Sequence, residues 1–357
     1  MNERIYTIEL ETLTPIWTGD ATGKCVSIKE SSIMGSLRWW YREVVRASGG
    51  QVCTDNNCNL SYKKFIDTLS NGSSIDEALN EQKICPVCKL FGCTGWAGKF
   101  KIIIESENDG REIPTLQIET REIISKKTSK PLKRNVEVLM FDKNNPLKIK
   151  IYPIKDIKDE EWEFLNTTIN LISTWGALGG RTAQGNGVVN ILSNNLPKPK
   201  ISVCYPQYSN LNDFFFLKFH LHFKEKISNL IEENSFWTNR GTLSTNREWE
   251  IVWKQHKFLP IAFHIRDTIR RLENNKIKRH QIFGECRRAS QIFVSHGYRI
   301  DSSTIEFRIW GYGIGDGSSV TVESIKDILR ADLSNKLFAG EKNFIEDFIL
   351  EEQLNGR

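Results

Sequence analysis

The sequence predicts an α+β chain built from two tandem βαββαβ modules. Three observations carry this: strand-like period-two alternation at residue 5, a helix-period run at residues 33–46, and an order of signals that restarts after Pro197-Lys198-Pro199. The length, 357 residues, allows two domains with a core each, placed here at 1–200 and 201–357.

In the first module, Ile5-Tyr6-Thr7-Ile8-Glu9-Leu10 alternates and runs to Thr14-Pro15 and Gly19, a strand and its loop. After Ser31-Ser32, which read as N-cap residues, Ile33, Leu37, Trp40/Tyr41 and Val44 recur at helical spacing. The opposite face of that helix carries Arg38, Arg42 and Arg46 at four-residue steps. Residues of about 49–90 break the pattern and read as an insertion. Strands are expected at 99–104 and 148–152, a helix at 159–178, a glycine loop at 179–187 and a strand at 188–192. This order is ferredoxin-like.

The second module begins with Phe216–Lys224, which alternates apolar with basic residues, followed by a helix at Leu259–Leu272. His280–Ser290 echoes Leu90–Gly98, since each has Phe-Gly after a helix and Ala further on. Phe307–Gly317 is matched to the glycine loop of the first module.

Four of the eight cysteines fall in the insertion as Cys53-x4-Cys58 and Cys85-Pro86-Val87-Cys88. Two thiolate pairs at short spacing can surround a structural Zn2+, which would fold a segment too poor in apolar residues to form a core. Cys93 could replace one ligand, while Cys25, Cys204 and Cys286 stand alone as small buried side chains. A redox Cys-x-x-Cys would need a thioredoxin-like βαβ context, which the pattern lacks. Apolar runs are too short to span a bilayer, and the first residues enter a strand pattern directly, so a cytoplasmic protein without membrane contact is expected.

The net charge of +5 hides a strong asymmetry. Residues 121–155 carry ten Lys/Arg against three acids and residues 251–300 eleven against three, whereas 301–357 carry eleven acids against six bases. Two basic segments are the footprint of a polyanion partner. The loop at 179–187 lies between helix and strand, the reverse of a dinucleotide or P-loop context, so no nucleotide cofactor is expected. Its glycines can still bring backbone N–H groups and Arg181 near a phosphodiester. All six histidines lie between 220 and 296, which confines acid–base catalysis without a metal to the second module, at His264, His280 or His296. No paired carboxylates and no Ser-His-Asp order stand out.

Taken together, Thr14-Pro15-Ile16-Trp17-Thr18-Gly19, Ser31-Ser32-Ile33-Met34-Gly35-Ser36-Leu37-Arg38-Trp39-Trp40 and Cys85–Gly98 resemble the RAMP superfamily of CRISPR proteins. Within it, they are most similar to the first subunit of the type III-B (Cmr) RNA-guided effector complex. The resemblance extends through Gly179–Gly187 into Phe283–Ser290 and Arg308–Gly311. It implies two RRM-like RAMP modules that hold guide RNA, and the target RNA paired with it, and that assemble with other RAMP subunits. Target cleavage in that family belongs to another subunit, so the chain is expected to be non-catalytic. The glycine loop departs from relatives in having one basic residue, Arg181, where several are common.

A basic groove with exposed aromatics suits single-stranded RNA, because phosphates pair with Arg/Lys and splayed bases stack on rings. The candidate RNA contacts are Lys24, Ser31, Ser32, Arg38, Trp39, Arg42, Arg46, Gly180, Arg181, Arg266, Arg270, Arg287 and Arg288. Two other readings remain open at this point: a metal-independent endoribonuclease using a histidine of the second module, and a zinc-stapled protein adaptor that touches no RNA.

Overall fold

The structure is a computed structural model. It describes residues 4–353 except 21–22, 55–56, 107–110, 122–131, 137–138, 198–213, 238–244, 286–287, 313–318 and 339–342. Calls on Lys126, Lys127, Lys130, Cys204, Cys286, Arg287, Gly313–Gly317 and the 200/201 boundary lie outside the described residues. The architecture is α+β with antiparallel sheets. Among the described residues no helix is long and apolar enough to cross a membrane.

The first half runs through β1 (Tyr6–Thr12), α1 (Glu30–Ala47), α2 (Tyr62–Ser70), α3 (Ile75–Glu81), α4 (Pro86–Phe91), β2 (Gly92–Cys93), β3 (Trp96–Ala97) and β4 (Phe100–Glu105). It continues with β5 (Arg111–Glu112), β6 (Leu116–Arg121), β7 (Leu132–Val136), β8 (Leu139–Met140), β9 (Leu147–Pro153), α5 (Asp159–Thr174) and β10 (Val189–Asn194). The main sheet has the order β10-β1-β9-β4, entirely antiparallel. Alternation in β1 buries Ile8 and Leu10 and leaves Glu9 on the other face, where Lys148 of β9 pairs with it at 3.4 Å. Helix α1 lays Ile33, Leu37, Trp40, Tyr41 and Val44 into the core, as its period requires.

The second half contains β11 (Phe214–Phe223), α6 (Ile227–Glu232), α7 (Asn246–His256), β12 (Phe258–Leu259), α8 (Ala262–Arg270), α9 (Lys276–Phe283) and β13 (Ile292–Val294). Then come β14 (Gly297–Arg299), β15 (Thr304–Tyr312), α10 (Val322–Leu337) and β16 (Ile345–Gln353). Its sheet has the order β12-β14-β15-β11-β16, with β13 also on β15. Counting the main strands in chain order, both sheets set the fourth beside the first, the first beside the third and the third beside the second.

Strand β11 is buried on both faces. Phe215, Leu217, Phe219 and Leu221 face the second core, whereas Phe214 and Phe216 join the first core with Trp310. The two halves are therefore not separate globules: Leu116 and Ile118 of the β6–β7 hairpin also sit in the second core.

The echo between 90–98 and 282–290 holds at the backbone of the described residues. Gly92 ends α4 at φ 92°, ψ 162°, and Gly284 ends α9 at φ 72°, ψ 165°. In each case a Cβ would meet backbone at 2.8 Å, from Gly98 N in one and Arg288 O in the other, so only glycine fits. The closing hydrogen bonds also match, Lys99 N to Leu90 O and Gln291 N to Ile282 O, both 2.8 Å.

Three local expectations need correction. Helix α1 starts at Glu30, so Ser31 and Ser32 lie in its first turn and Lys29 is the N-cap residue, without a side-chain cap. The Lys29 N–H is instead taken by Thr18 Oγ1 at 3.0 Å. Phe307–Tyr312 is part of β15, the third strand, so it does not correspond to the glycine loop. The matching position lies between α10 and β16, because chain order, not glycine content, fixes equivalence. The insertion, expected to be too poor in apolar residues for a core, buries Leu60, Phe65, Ala78, Leu79 and Ile84 in the first core; its helices α2 and α3 pack on each other, and Ser74 with Glu77 forms a capping box on α3.

Candidate nucleic-acid interface and metal centre

The loop before α1, the N-terminal turns of α1 and the glycine loop converge on one surface. Gly180 N–H donates to Trp17 O at 2.8 Å, and Gly179 N–H donates to Ser36 Oγ of α1 at 3.2 Å. The Arg181 guanidinium lies 4.1 Å from the Trp17 ring centroid, a cation–π contact, on a residue held at φ 53°. Arg181, Lys24 and Ser31 are exposed, and Ser32 is half-buried. The side-chain-uncapped N-terminus of an 18-residue helix adds its dipole to these groups. Trp17 belongs to the motif Thr14–Gly19, but neither that motif nor the glycine spacing reveals that it packs against the loop.

The arginine ridge of α1 is more committed than its spacing implied. Arg38 Nη2 donates to Cys88 Sγ at 3.1 Å, and Arg46 pairs with buried Glu43 at 3.0 Å. Glu43 also accepts from Tyr312 Oη, at 3.0 Å, which links α1 to β15. Arg42 is half-buried. Trp39 packs edge-on against Phe293 and Tyr312, and Trp40 is core, its Nε1 donating to Ala177 O at 2.8 Å.

In the second half, Arg266 braces the hairpin: it donates to Phe283 O, to Ile292 O at 3.2 Å and, across to the glycine loop, to Ala183 O at 3.2 Å. Arg270 lies over the Phe283 ring, and exposed Arg288 lies 4.0 Å from Glu285. The glycine loop also bonds to the second half through Gly185 O, which accepts from His296 N at 3.0 Å. Thus the loop is both part of the candidate surface and a joint between the halves.

A second polar cluster lies on the β11 face that meets the first half. Arg308 donates to Tyr298 Oη at 2.8 Å and to Gly176 O at 3.2 Å; Tyr298 Oη donates to Glu306, and His220 Nε2 lies 2.8 Å from Glu306 Oε2. Burial works to raise the Glu306 carboxyl, but the hydrogen bonds and the Arg308 charge outweigh it and hold its pKa down. Lys218 sits over the Trp175 ring at 4.4 Å. Alternation in β11 put Lys218, His220 and His222 on one face, but it could not show that the face meets the first half.

Two of the three candidate catalytic histidines are inaccessible. His264 and His296 are 4% and 0% exposed, and burial pushes their pKa values down to about 4 and about 3. His296 Nδ1 accepts from Ala262 N–H at 3.2 Å. His280 is half-buried, with Nδ1 3.5 Å from Glu285.

The sulfur atoms of Cys53, Cys58, Cys85 and Cys88 all lie within 4.8 Å of one another. Cys53 is 3.6 Å from both Cys85 and Cys88, too far for disulfides and close to the roughly 3.8 Å edge of a tetrahedron with Zn–S distances of about 2.3 Å. Cys85 N–H points at Cys58 Sγ at 3.4 Å, and Cys85 precedes α4 with Pro86 at its first position, a knuckle that turns both thiols inward. Hydrogen bonding from Cys88 lowers the Cys85 thiol to about 4, and burial raises Cys58 to about 11. The donor set fits a metal ion that prefers four thiolates. Cys93 is half-buried beside Cys88, outside the group of four.

A family model described as the RAMP superfamily matches residues 9–190, about half the chain. No curated protein matches the sequence. Among solved structures, Cmr1 from Pyrococcus furiosus in its apo form is similar at 11% identity and a TM-score of 0.40, over 92% of this chain and 96% of that one. A chain of a type III-B Cmr-beta complex bound to cognate target RNA and AMPPnP is similar at 10% and 0.41, over 92% and 99%. A chain of a type IV-B CRISPR complex is similar at 14% and 0.37, over 56% and 97%.

Proposed function

The chain belongs to the RAMP superfamily, and on that premise we propose that it is a non-catalytic RNA-binding subunit of a type III-B CRISPR (Cmr) effector complex. In this reading it works in the cytoplasm, holds the 3′ part of the guide RNA or the target paired with it, and docks on other RAMP subunits. The observation that carries it is the junction of the glycine loop with the loop before α1 and with α1 itself, Arg181 over Trp17 and Gly179 N–H on Ser36 Oγ, from segments some 150 residues apart in sequence, next to exposed Lys24 and Ser31 in the same stretch of chain. These groups suit phosphates, and none reads a base edge, so base pairing supplies the sequence specificity.

The two halves are read as two ferredoxin-like RAMP modules, 1–200 and 201–357. The shared strand order and the matched Gly92 and Gly284 hairpins support this. The cysteine group is read as a structural Zn2+ site that folds the insertion. Burial of His264 and His296 speaks against a metal-independent ribonuclease.

The test is RNA binding by the purified chain across salt concentrations. Affinity should fall steeply with salt, depend weakly on sequence, and drop in Arg181→Glu and Arg42→Glu, with the RNA intact after long incubation in EDTA. A salt-independent affinity would overturn the reading, and cleavage products ending in 2′,3′-cyclic phosphate would replace it with the ribonuclease.

A further inference from the structure

We propose that Arg38 is the charge partner of the cysteine metal centre, a positioning residue for the metal rather than a direct contact for RNA. The inference rests on the reading of the four cysteines as a metal site. Four thiolates around a divalent cation leave a net charge of −2, which a half-buried site does not tolerate without nearby donors. Arg38 supplies both a positive charge and an N–H donor: Nη2 lies 3.1 Å from Cys88 Sγ, reaching from α1 across fifty residues of sequence.

Two further observations favour this role. The Arg38 Nε is buried and has no hydrogen-bond partner among the described residues, so the contact from Nη2 to the Cys88 sulfur is the one that defines the side chain's position. The other α1 arginine with a defined ion pair, Arg46, is held by a carboxylate, Glu43, whereas Arg38 has a sulfur as its defined partner. The thiol contact also ties the insertion to α1: Cys85 is the N-cap residue of α4 and Cys88 lies in its first turn, and α4 packs directly on α1. Metal, Cys88 and Arg38 thereby connect the insertion to the helix that carries the proposed RNA surface.

The outer hydrogen bond to a metal ligand sets ligand basicity and orientation, and its loss commonly weakens metal affinity about 10–100-fold. The full chain is loaded with Zn2+ or with Co2+ as a spectroscopic probe, and Zn2+ affinity is measured by competition with a chromophoric chelator. Arg38→Met should lower Zn2+ affinity by about 10–100-fold and move the thiolate-to-Co2+ absorption to longer wavelength, because the sulfur loses its donor. Arg38→Lys, which keeps charge and donor, should recover most of the affinity. If Arg38→Met does not fold with excess Zn2+, Arg38→Gln, which removes the charge and the reach of the donor but keeps the position polar, carries the same test.

An unchanged affinity and an unchanged spectrum in Arg38→Met overturn the inference while leaving the metal site standing. If the unmodified chain takes up neither ion, the metal reading fails, and the inference fails with it. The RNA-binding proposal is decided separately, by Arg181 and Arg42.

Discussion

In their described residues, 85–99 and 277–291 share the helix-ending glycine, the closing hydrogen bond and the bridge Cys93–Trp96 or Glu285–Arg288, and differ in what holds them. Each is a short helix ended by a glycine in a conformation closed to other residues, then a tight hairpin closed by a 2.8 Å hydrogen bond. In the first copy the helix carries Cys85 and Cys88, which meet Cys53 and Cys58, and Arg38 of α1 binds the cluster. In the second, position 88 is matched by His280 and position 93 by Glu285, 3.5 Å apart, and Arg266 of α8 grips the carbonyls of Phe283 and Ile292. In both, an arginine from a preceding helix reaches the unit: Arg38 meets the Cys88 sulfur on the helix before the first hairpin, and Arg266 meets the backbone oxygens of Phe283 and Ile292 at the two ends of the second. The hairpin geometry is thus set by the glycine and its closing bond, while the anchoring chemistry is free to differ. Both copies rest on apolar cores, the first through Val87, Leu90 and Trp96 and the second through Ile282, Phe283 and Ile292; the first adds the cysteine cluster, which joins it to the insertion at Cys53 and Cys58.

The sharpest way to separate the copies is to remove the metal. A strong chelator, or Cys85→Ser with Cys88→Ser, should expose amides of residues 53–99 to hydrogen exchange while leaving 277–291 protected, since structural zinc contributes on the order of 10 kcal/mol in small sites. Equal exposure of both copies would show that the cluster does not act locally. Metal affinity itself should fall as the pH is lowered, because binding must displace thiol protons, which burial holds on Cys58 and the Cys85 contact and burial hold on Cys88.

Acid is the opposite probe, since the buried histidines both belong to the second half. Folded-state pKa values of about 4 and about 3 lie below the unfolded value, so His264 and His296 contribute fully above pH 6.5 and lose their contribution as pH falls toward those values. Between pH 7 and pH 5 this amounts to about 2 kcal/mol for each, read as a falling thermal midpoint of the zinc-loaded chain. A midpoint flat across that range would mean that the histidines are solvated.

Where the copies agree, they should respond alike. Gly92→Ala and Gly284→Ala should each cost about 1–3 kcal/mol in chemical denaturation, because both force a Cβ against backbone at 2.8 Å. The smallest effect belongs to the exposed ion pair of the second hairpin: Glu285→Gln should change stability by less than about 1 kcal/mol.

How far the sequence carried varied with the kind of signal. The strand at 6–12, the α1 core face and the four-cysteine group were legible because period and short spacing are local. The partners of Arg38, Arg46 and Arg266 were not, because a charge at helical spacing looks the same whether it faces solvent, a thiol or a carbonyl. Likewise Phe307–Tyr312 looked like a glycine loop by composition, while only its pairing with β11 shows it to be a strand. Trp39, read as a stacking ring, lies against Phe293 and Tyr312, a contact set by long-range docking.

The central claim concerns RNA, and the most direct measurement is ultraviolet crosslinking of the chain within its assembled complex, with the crosslinked peptides mapped. The account predicts crosslinks in residues 17–36 and 179–181, where the Trp17 loop, the start of α1 and the glycine loop meet. Crosslinks on neighbouring subunits but none in either segment would contradict it.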